Sequence, residues 1–298
     1  MKTAFTAQEL HNFIEIIKDE YAVVRLVNPT QRKVLDLNSG KETREICNSI
    51  WGRNERCENC TSVRALQSHK NAHKVEFVHE KVYFITSKYV EIDGEACILE
   101  MVTDATDDFL ANSDQKDAVA QFIVNHNDLL ITDPLTGLFN RRFLDEHFIP
   151  SLTCCYDLAV PVNLSILDID RFKAINDKHG HLAGDQVLKD VAGFWKLHFN
   201  SREKNKERLV IRYGGDEMLI LACGMPQEEF TQKLTDCYEA MRKICFYDEK
   251  LNFSFGISFG SASSTELKPD WRWADLFALA DERLYIAKKK HKITSKML

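Results

Sequence analysis

The stretch Leu209–Ile220, LVIRYGGDEMLI, decides how the second half of this chain is read. Val210 and Ile211 lead in, Met218 to Leu221 lead out, and two glycines and two acids stand between them. Apolar runs flanking Gly214-Gly215 predict a hairpin whose glycines take the positive φ of a tight turn. Asp216 and Glu217 then sit beside the turn, within reach of solvent or a ligand. Carboxylates in that position need something to offset them.

More acids lie upstream, in SILDIDRFKAINDKHGHLAGDQVL (Ser165–Leu188). Leu164 to Ile169 reads as a buried strand ending in Asp168 and Asp170, which alternation puts on one face, with Leu167 and Ile169 on the other. A helical pattern with Phe172 and Ile175 follows, then a glycine-bearing turn at Gly180 and Gly184. A second helix is expected from near Asp185, with Val187, Leu188, Val191 and Phe194 on its apolar side. Acids gathered from a strand end and a hairpin tip repel one another, and a divalent cation resolves the conflict; oxygen ligands of this kind suit Mg²⁺ (or Mn²⁺). Asp168, Asp216 and Glu217 together are what metal-assisted phosphoryl or nucleotidyl transfer requires. Three solvated turn acids would explain each residue singly, but not their joint spacing.

The bulk numbers set limits. At 298 residues, two compact units are expected. A net charge of −6 argues against nucleic acid as a partner, yet leaves room for a small anion such as a nucleotide. The chain shows no apolar run of membrane-spanning length and no signal-peptide core, so a cytoplasmic protein with no membrane partner is expected. Nine scattered cysteines, an odd number, do not form a secreted disulfide framework and point to a reducing compartment.

The first half reads as a small α+β domain over residues 1–104. Thr6 is a candidate N-cap for a helix carrying Leu10, Phe13, Ile14 and Ile17, and two strands flank an Asn28-Pro29 turn. Three β-rich runs follow, KVEFVHEKVYFIT, KYVEID and EACILEMVTD, the last two meeting at Asp93-Gly94. This half resembles a PAS domain in its element order and in VTDATDD, similar to the end of the last PAS strand; an unrelated α+β domain is the alternative.

Residues 105–130 are expected to form a linker helix with Val119, Phe122, Ile123, His126, Leu129 and Leu130 on one stripe. Such a helix either pairs with its twin in a dimer or lies on its own domain. In CNSIWGRNERCENC, Cys47, Cys57 and Cys60 are a second candidate metal (zinc) or redox site. The alternative is reduced thiols packed against Trp51.

From Asp133 to Lys292 the chain is identified as resembling the GGDEF-domain diguanylate cyclases. The resemblance is carried, in order, by DPLTGLFNRR, LDIDRFKAINDKHGHLAGDQVL (Leu167–Leu188), RYGGDEM, FSFGIS and ADERLYIAKKKHK. It implies a ferredoxin-like βαββαβ, palm-type domain over 131–298 that condenses two GTP into cyclic di-GMP and two pyrophosphates between two protomers of a homodimer. It also implies roles. Asp168, the Ile169 carbonyl, Asp216 and Glu217 would bind Mg²⁺, Asp216 also helping to deprotonate the ribose 3′-hydroxyl. Asn176 and Asp185 would read the guanine edge. Amides around Arg171, Phe172 and Lys173 would cradle phosphates, with Lys288 and Lys292 as cations. Lys173 and Lys288 are equally consistent with ordinary surface lysines. The first half would be a sensor for an unknown small-molecule or redox signal; a catalytically weak or inactive module that binds GTP or cyclic di-GMP is the alternative.

Three departures from the family pattern stand out. Met218 replaces the signature's final aromatic and should point into the core. Lys292 replaces an arginine and loses its guanidinium fork. Asn205 and Arg208 occupy the positions of an Arg-x-x-Asp inhibitory product site in the family, so that site is expected to be absent.

Overall fold

The computed structural model describes residues 3–37, 39–53, 57–109, 116–152, 160–199, 201–203, 206–243 and 256–294. The chain divides into two units, Met1–Ile131 with Asp145–Cys154, and Thr132–Leu144 with Cys155–Leu298.

In the first unit, Thr6 caps helix α1 (Ala7–Ile17) through a capping box with Glu9, as its sequence predicts. The sheet comprises β1 (Ala4–Phe5), β2 (Val23–Asn28), β3 (Lys33–Leu35), β4 (Glu42–Ile46), β5 (Ala72–Val78), β6 (Lys81–Ile92) and β7 (Glu95–Asp104). Its order is β1-β6-β7-β2-β3-β4, with β5 also on β6. Leu10 and Ile14 of α1 pack on Leu26 and Leu99, while Ala65 of α2 (Thr61–Ser68) packs with Val27 and Ile98. Neighbouring strand residues point to opposite faces, so the two helices cover opposite sides of the sheet.

Two readings of this half need correction. KVEFVHEKVYFIT is not one run but a hairpin, and its turn residues His79 and Glu80 both take positive φ (50° and 63°). Neither is a usual left-handed residue, so no turn signal marked the break. The expected single stripe on the linker is in fact two. Helix α3 (Lys116–Ile131) buries Ile123 and packs Val119 beside Val75, Phe77 and Val82 of its own unit. Phe122 and Leu129 lie exposed on another face.

The second unit runs β9 (Val162–Ile169), α4 (Phe172–His179), α5 (His181–Phe199), β10 (Ser201–Glu203), β11 (Lys206–Gly214), β12 (Glu217–Cys223), α6 (Gln227–Lys243), β13 (Ile257–Ser263) and α7 (Trp273–Thr294). Short β8 (Phe139–Asn140) adds to β11, and the order is β10-β11-β12-β9-β13. The core pattern is βαββαβ, with β9 antiparallel to both β12 and β13. Leu167, Ile169, Val210 and Met218 face Val191, Trp195 and Phe230 in one core. Met218 is fully buried there, its thioether filling the expected place.

The opposite sheet face carries α7. A Cβ on Gly260 would come within 2.1 Å of the Leu284 amide and 2.2 Å of the Ala280 carbonyl, so only glycine lets helix and strand meet. Alternation then assigns Asp168 and Glu217, neighbours of the core residues Leu167 and Met218, to the α7 side.

Helix α5 begins at His181, four residues before the expected start. Gly180 (φ 85°) ends α4, but Gly184 lies inside α5 and is a packing residue rather than a turn residue. Of FSFGIS, residues 253–255 lie outside the described residues, and the strand is described from Ile257.

Candidate active site

The signature hairpin closes on the pair Gly214 and Glu217, with Gly215 at φ 55° and Gly214 on the strand, so one glycine rather than two supplies the left-handed backbone. A register shift between Arg212 and Gly214 makes Tyr213 a bulge. Arg212 holds the turn in place. Its Nε and Nη2 donate to the Gly215 carbonyl at 3.1 and 2.9 Å, and its Nη1 donates to Asp133 at 2.9 Å. Asp133 in turn accepts from the Thr136 amide and hydroxyl, ordering the PLTG turn. Burial pushes the Asp133 carboxyl up, but the bonds from Thr136 and Arg212 outweigh it and hold the group below its ordinary value.

Pairing across β9 and β12 sets Glu217 directly opposite Asp168. Asp168 is buried, and the Lys288 ammonium of α7 meets it at 2.6 Å. Even so, its carboxyl is pushed up, first by burial and then by the charges of Asp216 and Asp170, against the pull of Lys288. Glu217 is pushed up as well, by burial, then by Asp168, with Asp216 and Asp281 adding and Lys288 opposing. The acids are thus close enough to raise one another, which is the electrostatic conflict their spacing implied. Asp170 is held separately, accepting from the Ser258 hydroxyl at 2.6 Å.

Among the described residues no three His, Cys, Asp or Glu side chains stand in a metal-holding arrangement, and Asp168 meets Lys288. The donor set still fits a hard cation: two mutually repelling carboxylates, Asp216 beside them, and the Ile169 carbonyl at the end of the same strand.

Between β9 and α4, Arg171 takes φ 57°, a left-handed conformation that costs a non-glycine residue about 1–2 kcal/mol. A left-handed residue followed by a helical turn aligns successive amides into an anion-binding concavity, and the Phe172 and Lys173 amides are at this helix start. Lys173 is exposed.

Asn176 on α4 and Asp185 on α5 occupy neighbouring helices. The Asn176 Oδ1 lies where a Cβ on Gly184 would be 1.8 Å away, and it is buried with no hydrogen-bond partner. A buried polar atom left unpaired awaits a donor. The Lys292 side chain and Asn205 lie outside the described residues, and Arg208 is on β11.

In the first unit, Cys57 is buried in a cluster with Trp51, with Cys60 packed against it. Cys47, Cys57 and Cys60 are reduced, none of them in a disulfide. Burial, with Cys60, Glu100 and Cys57 adding, pushes Cys47 up to about 12, so it stays protonated at neutral pH.

Several contributors to the site escaped sequence reading. Arg212 and Asp133 lie far apart in the chain and carry no joint signal. Asp281 lies in the ADERLYIAKKKHK segment, but nothing in the sequence singled it out from the other charged residues there. The role of Gly184 had one available clue: Ala183, Val187 and Val191 share helical spacing, which already places Gly184 inside the helix.

The model of the diguanylate cyclase GGDEF domain matches residues 130–294. The chain belongs to the GGDEF domain family. Diguanylate cyclase DgcP of Pseudomonas aeruginosa is 33% identical over 180 residues, 60% of this chain and 26% of its own length. Diguanylate cyclase DosC of Escherichia coli K12 is 32% identical over 161 residues, 53% of this chain and 33% of its own length. The chain thus spans about a quarter to a third of these curated relatives. Among solved structures, the coiled coil and GGDEF domain of DgcB from Caulobacter crescentus, in complex with c-di-GMP, matches with a TM-score of 0.54 and 24% identity. The match covers 63% of this chain and 96% of that one, a likeness of fold. The GGDEF signature of this chain is the RYGGDEM hairpin. No described helix is long and apolar enough to cross a membrane.

Proposed function

We propose that the protein is a sensor-regulated diguanylate cyclase that condenses two GTP into cyclic di-GMP and two pyrophosphates. The observation that carries this reading is the pairing of Asp168 with Glu217 across β9 and β12, with both carboxyls raised by burial and then by neighbouring acids. Family membership supplies the reaction class, and the retained acids argue against a module that only binds nucleotide.

In this reading Asp168, the Ile169 carbonyl, Asp216 and Glu217 hold Mg²⁺ or Mn²⁺. When bound, the ion supplies positive charge against the α-phosphate and the departing pyrophosphate. The amides at Arg171, Phe172 and Lys173 cradle the outer phosphates, and Lys288, released from Asp168, adds its charge there; Lys292 is assigned the same task. Asn176 and Asp185 bind the guanine edge. Asp185 accepts from the N1–H and exocyclic amine, a donor pair that adenine lacks, so ATP is rejected.

Asp216 takes the proton of the ribose 3′-hydroxyl. The oxygen then forms a bond to the α-phosphorus of the GTP held by a partner protomer, and the bond to pyrophosphate breaks. Two such events close the ring, so the site is complete only when two copies face each other. Proximity of this kind supplies a large share of the barrier reduction. The first unit, PAS-like in its order of helix, hairpin, helical middle and three-stranded run, and helix α3 set the orientation of the copies.

The test is synthesis of cyclic di-GMP from GTP with Mg²⁺, read by nucleotide chromatography. Wild-type chain should form product with specific activity that falls on dilution, and Asp216→Ala should form none while keeping its fold. Wild-type chain that binds GTP without turnover would instead support the binding-module reading.

A further inference from the structure

A lysine taken out of water ordinarily finds a carboxylate, as Lys74 finds Glu76 at 2.7 Å. Lys88 of β6 does not. It is only 5% exposed, and strand alternation puts it on the α1 face of the sheet with Val90 and Ile92. Its ammonium stands over the rings of Phe5 (β1) and Phe13 (α1) at 5.8 and 5.6 Å, and among the described residues it makes no hydrogen bond or ion pair. Rings at that distance are near the limit of a cation–π attraction, so they replace little of the lost hydration.

No neighbouring charge makes up the difference. On α1, Glu9 accepts from the Thr6 amide and Glu15 meets Lys18. Opposite Lys88 on β7 stands Leu99, with Met101 to one side and Cys97 to the other; burial pushes that thiol up to about 12, so it is neutral. On β5, His73 is engaged with Thr86 and Phe84. Neither these groups nor His11 bears on Lys88: burial alone acts on its ammonium, and it pushes the group down. At neutral pH this amine therefore carries a free lone pair more often than Lys18 or Lys81, whose carboxylate partners push them up.

The amine is also within reach. β5 pairs with β6 as far as Ser87 and β1 joins it from Glu91, so Lys88 lies at the gap between two neighbours on one edge. Unlike the buried, unpartnered Asn163 Oδ1 and Trp195 Nε1, its nitrogen keeps contact with solvent. An opening this narrow, flanked by the electron-rich faces of two rings, disfavours an anion and suits a small uncharged reagent.

We propose that Lys88 is a covalent capture site for a small apolar aldehyde, which it holds as an imine between Phe5 and Phe13. The neutral amine attacks the carbonyl carbon and a C–N bond forms. The C–O bond then breaks, both amine hydrogens leave with the oxygen as water, and nothing is oxidised or reduced. The imine is a weaker base than the amine, so capture relieves the buried charge, and hydrolysis reverses it. The modified side chain ties β1 to α1. Any effect on cyclase rate rests on the regulatory reading above; the capture itself does not.

The probe is propanal with cyanoborohydride, which reduces the imine to a stable propylamine, applied to the full chain and read by peptide mass spectrometry. At pH 7 Lys88 should be labelled at least about tenfold faster than Lys18 and Lys81, since each unit between pKa values is tenfold in free amine. The lead should shrink toward pH 10, where surface lysines lose their protons as well. Phe5→Glu sets a carboxylate beside the amine and should bring Lys88 down to the rate of the surface lysines, whereas Phe5→Leu should keep the lead. Melting curves establish that both variants are folded. Lys88 labelled no faster than Lys18 and Lys81 at pH 7, or a lead that folded Phe5→Glu protein keeps, would overturn the proposal. Capture as expected with a cyclase rate that propanal leaves unchanged would uphold the site and remove only its regulatory consequence.

Discussion

Replacing Gly184 by alanine separates the stability of this domain from its chemistry. Gly184 is inside α5, where alanine is favoured over glycine by about 1 kcal/mol. The new methyl would stand 1.8 Å from Asn176 Oδ1, 2.9 Å from its Cγ and 3.2 Å from the Phe172 ring. The first contact is the far end of a flexible side chain, so the fold yields by swinging Asn176 away. The helix therefore keeps most of its gain, while the base loses a hydrogen bond. A bond whose loss strands a buried polar partner is worth about 1.5–3 kcal/mol, or roughly 10- to 150-fold in kcat/KM. Steady-state synthesis with GTP should show that loss chiefly in KM, with Tm within a few degrees of wild type. Wild-type kcat/KM for GTP in a folded Gly184→Ala protein would refute the assignment of Asn176 to the base.

Gly260→Ala should act in the opposite way, because its methyl meets helix backbone that cannot swing aside. A loss of about 3 kcal/mol, or roughly 6–12 °C in Tm, is expected in thermal melts. Arg212→Ala should cost about 1–3 kcal/mol by releasing Asp133 and the Gly215 carbonyl. The lowered Asp133 carboxyl stabilises the fold above the ordinary carboxylate range, and that contribution is lost as pH falls through its lowered value. The acid limb of Tm against pH should therefore flatten in Arg212→Ala. Glu217 is raised, so its ionised form opposes folding at neutral pH and the opposition fades as pH drops through the raised value. Glu217→Gln should accordingly melt higher than wild type at pH 7 in chelator, with the gap closing in acid. It should lose at least about 100-fold in activity and gain no stability from added Mg²⁺.

How far residues alone carried this account depended on whether the deciding physics was local. The Asp93-Gly94 hairpin, the Thr6 cap and the buried strand that carries Asp168 and ends at Ile169 follow from side-chain period and turn chemistry, and each is where it was expected. The His79-Glu80 turn was invisible because its left-handed residues are held by the pairing of β5 with β6, not by their own preference. The α3 stripe divided because tertiary packing chose Val119 and Ile123 and left Phe122 and Leu129 outside. At the site, the acids were legible as a set, but the Lys288 contact, the Arg212 clamp and the fit of Asn176 over Gly184 exist only once distant elements meet.

The most direct measurement is a crystal structure of the full chain with Mg²⁺ and a non-reactive GTP analogue. Asp168 and Glu217 oxygens should lie about 2.0–2.1 Å from an ion that also touches the phosphates, with Lys288 moved from Asp168 to the triphosphate. A bound analogue with Lys288 still on Asp168, and with no ion between the acids and the phosphates, would contradict the account.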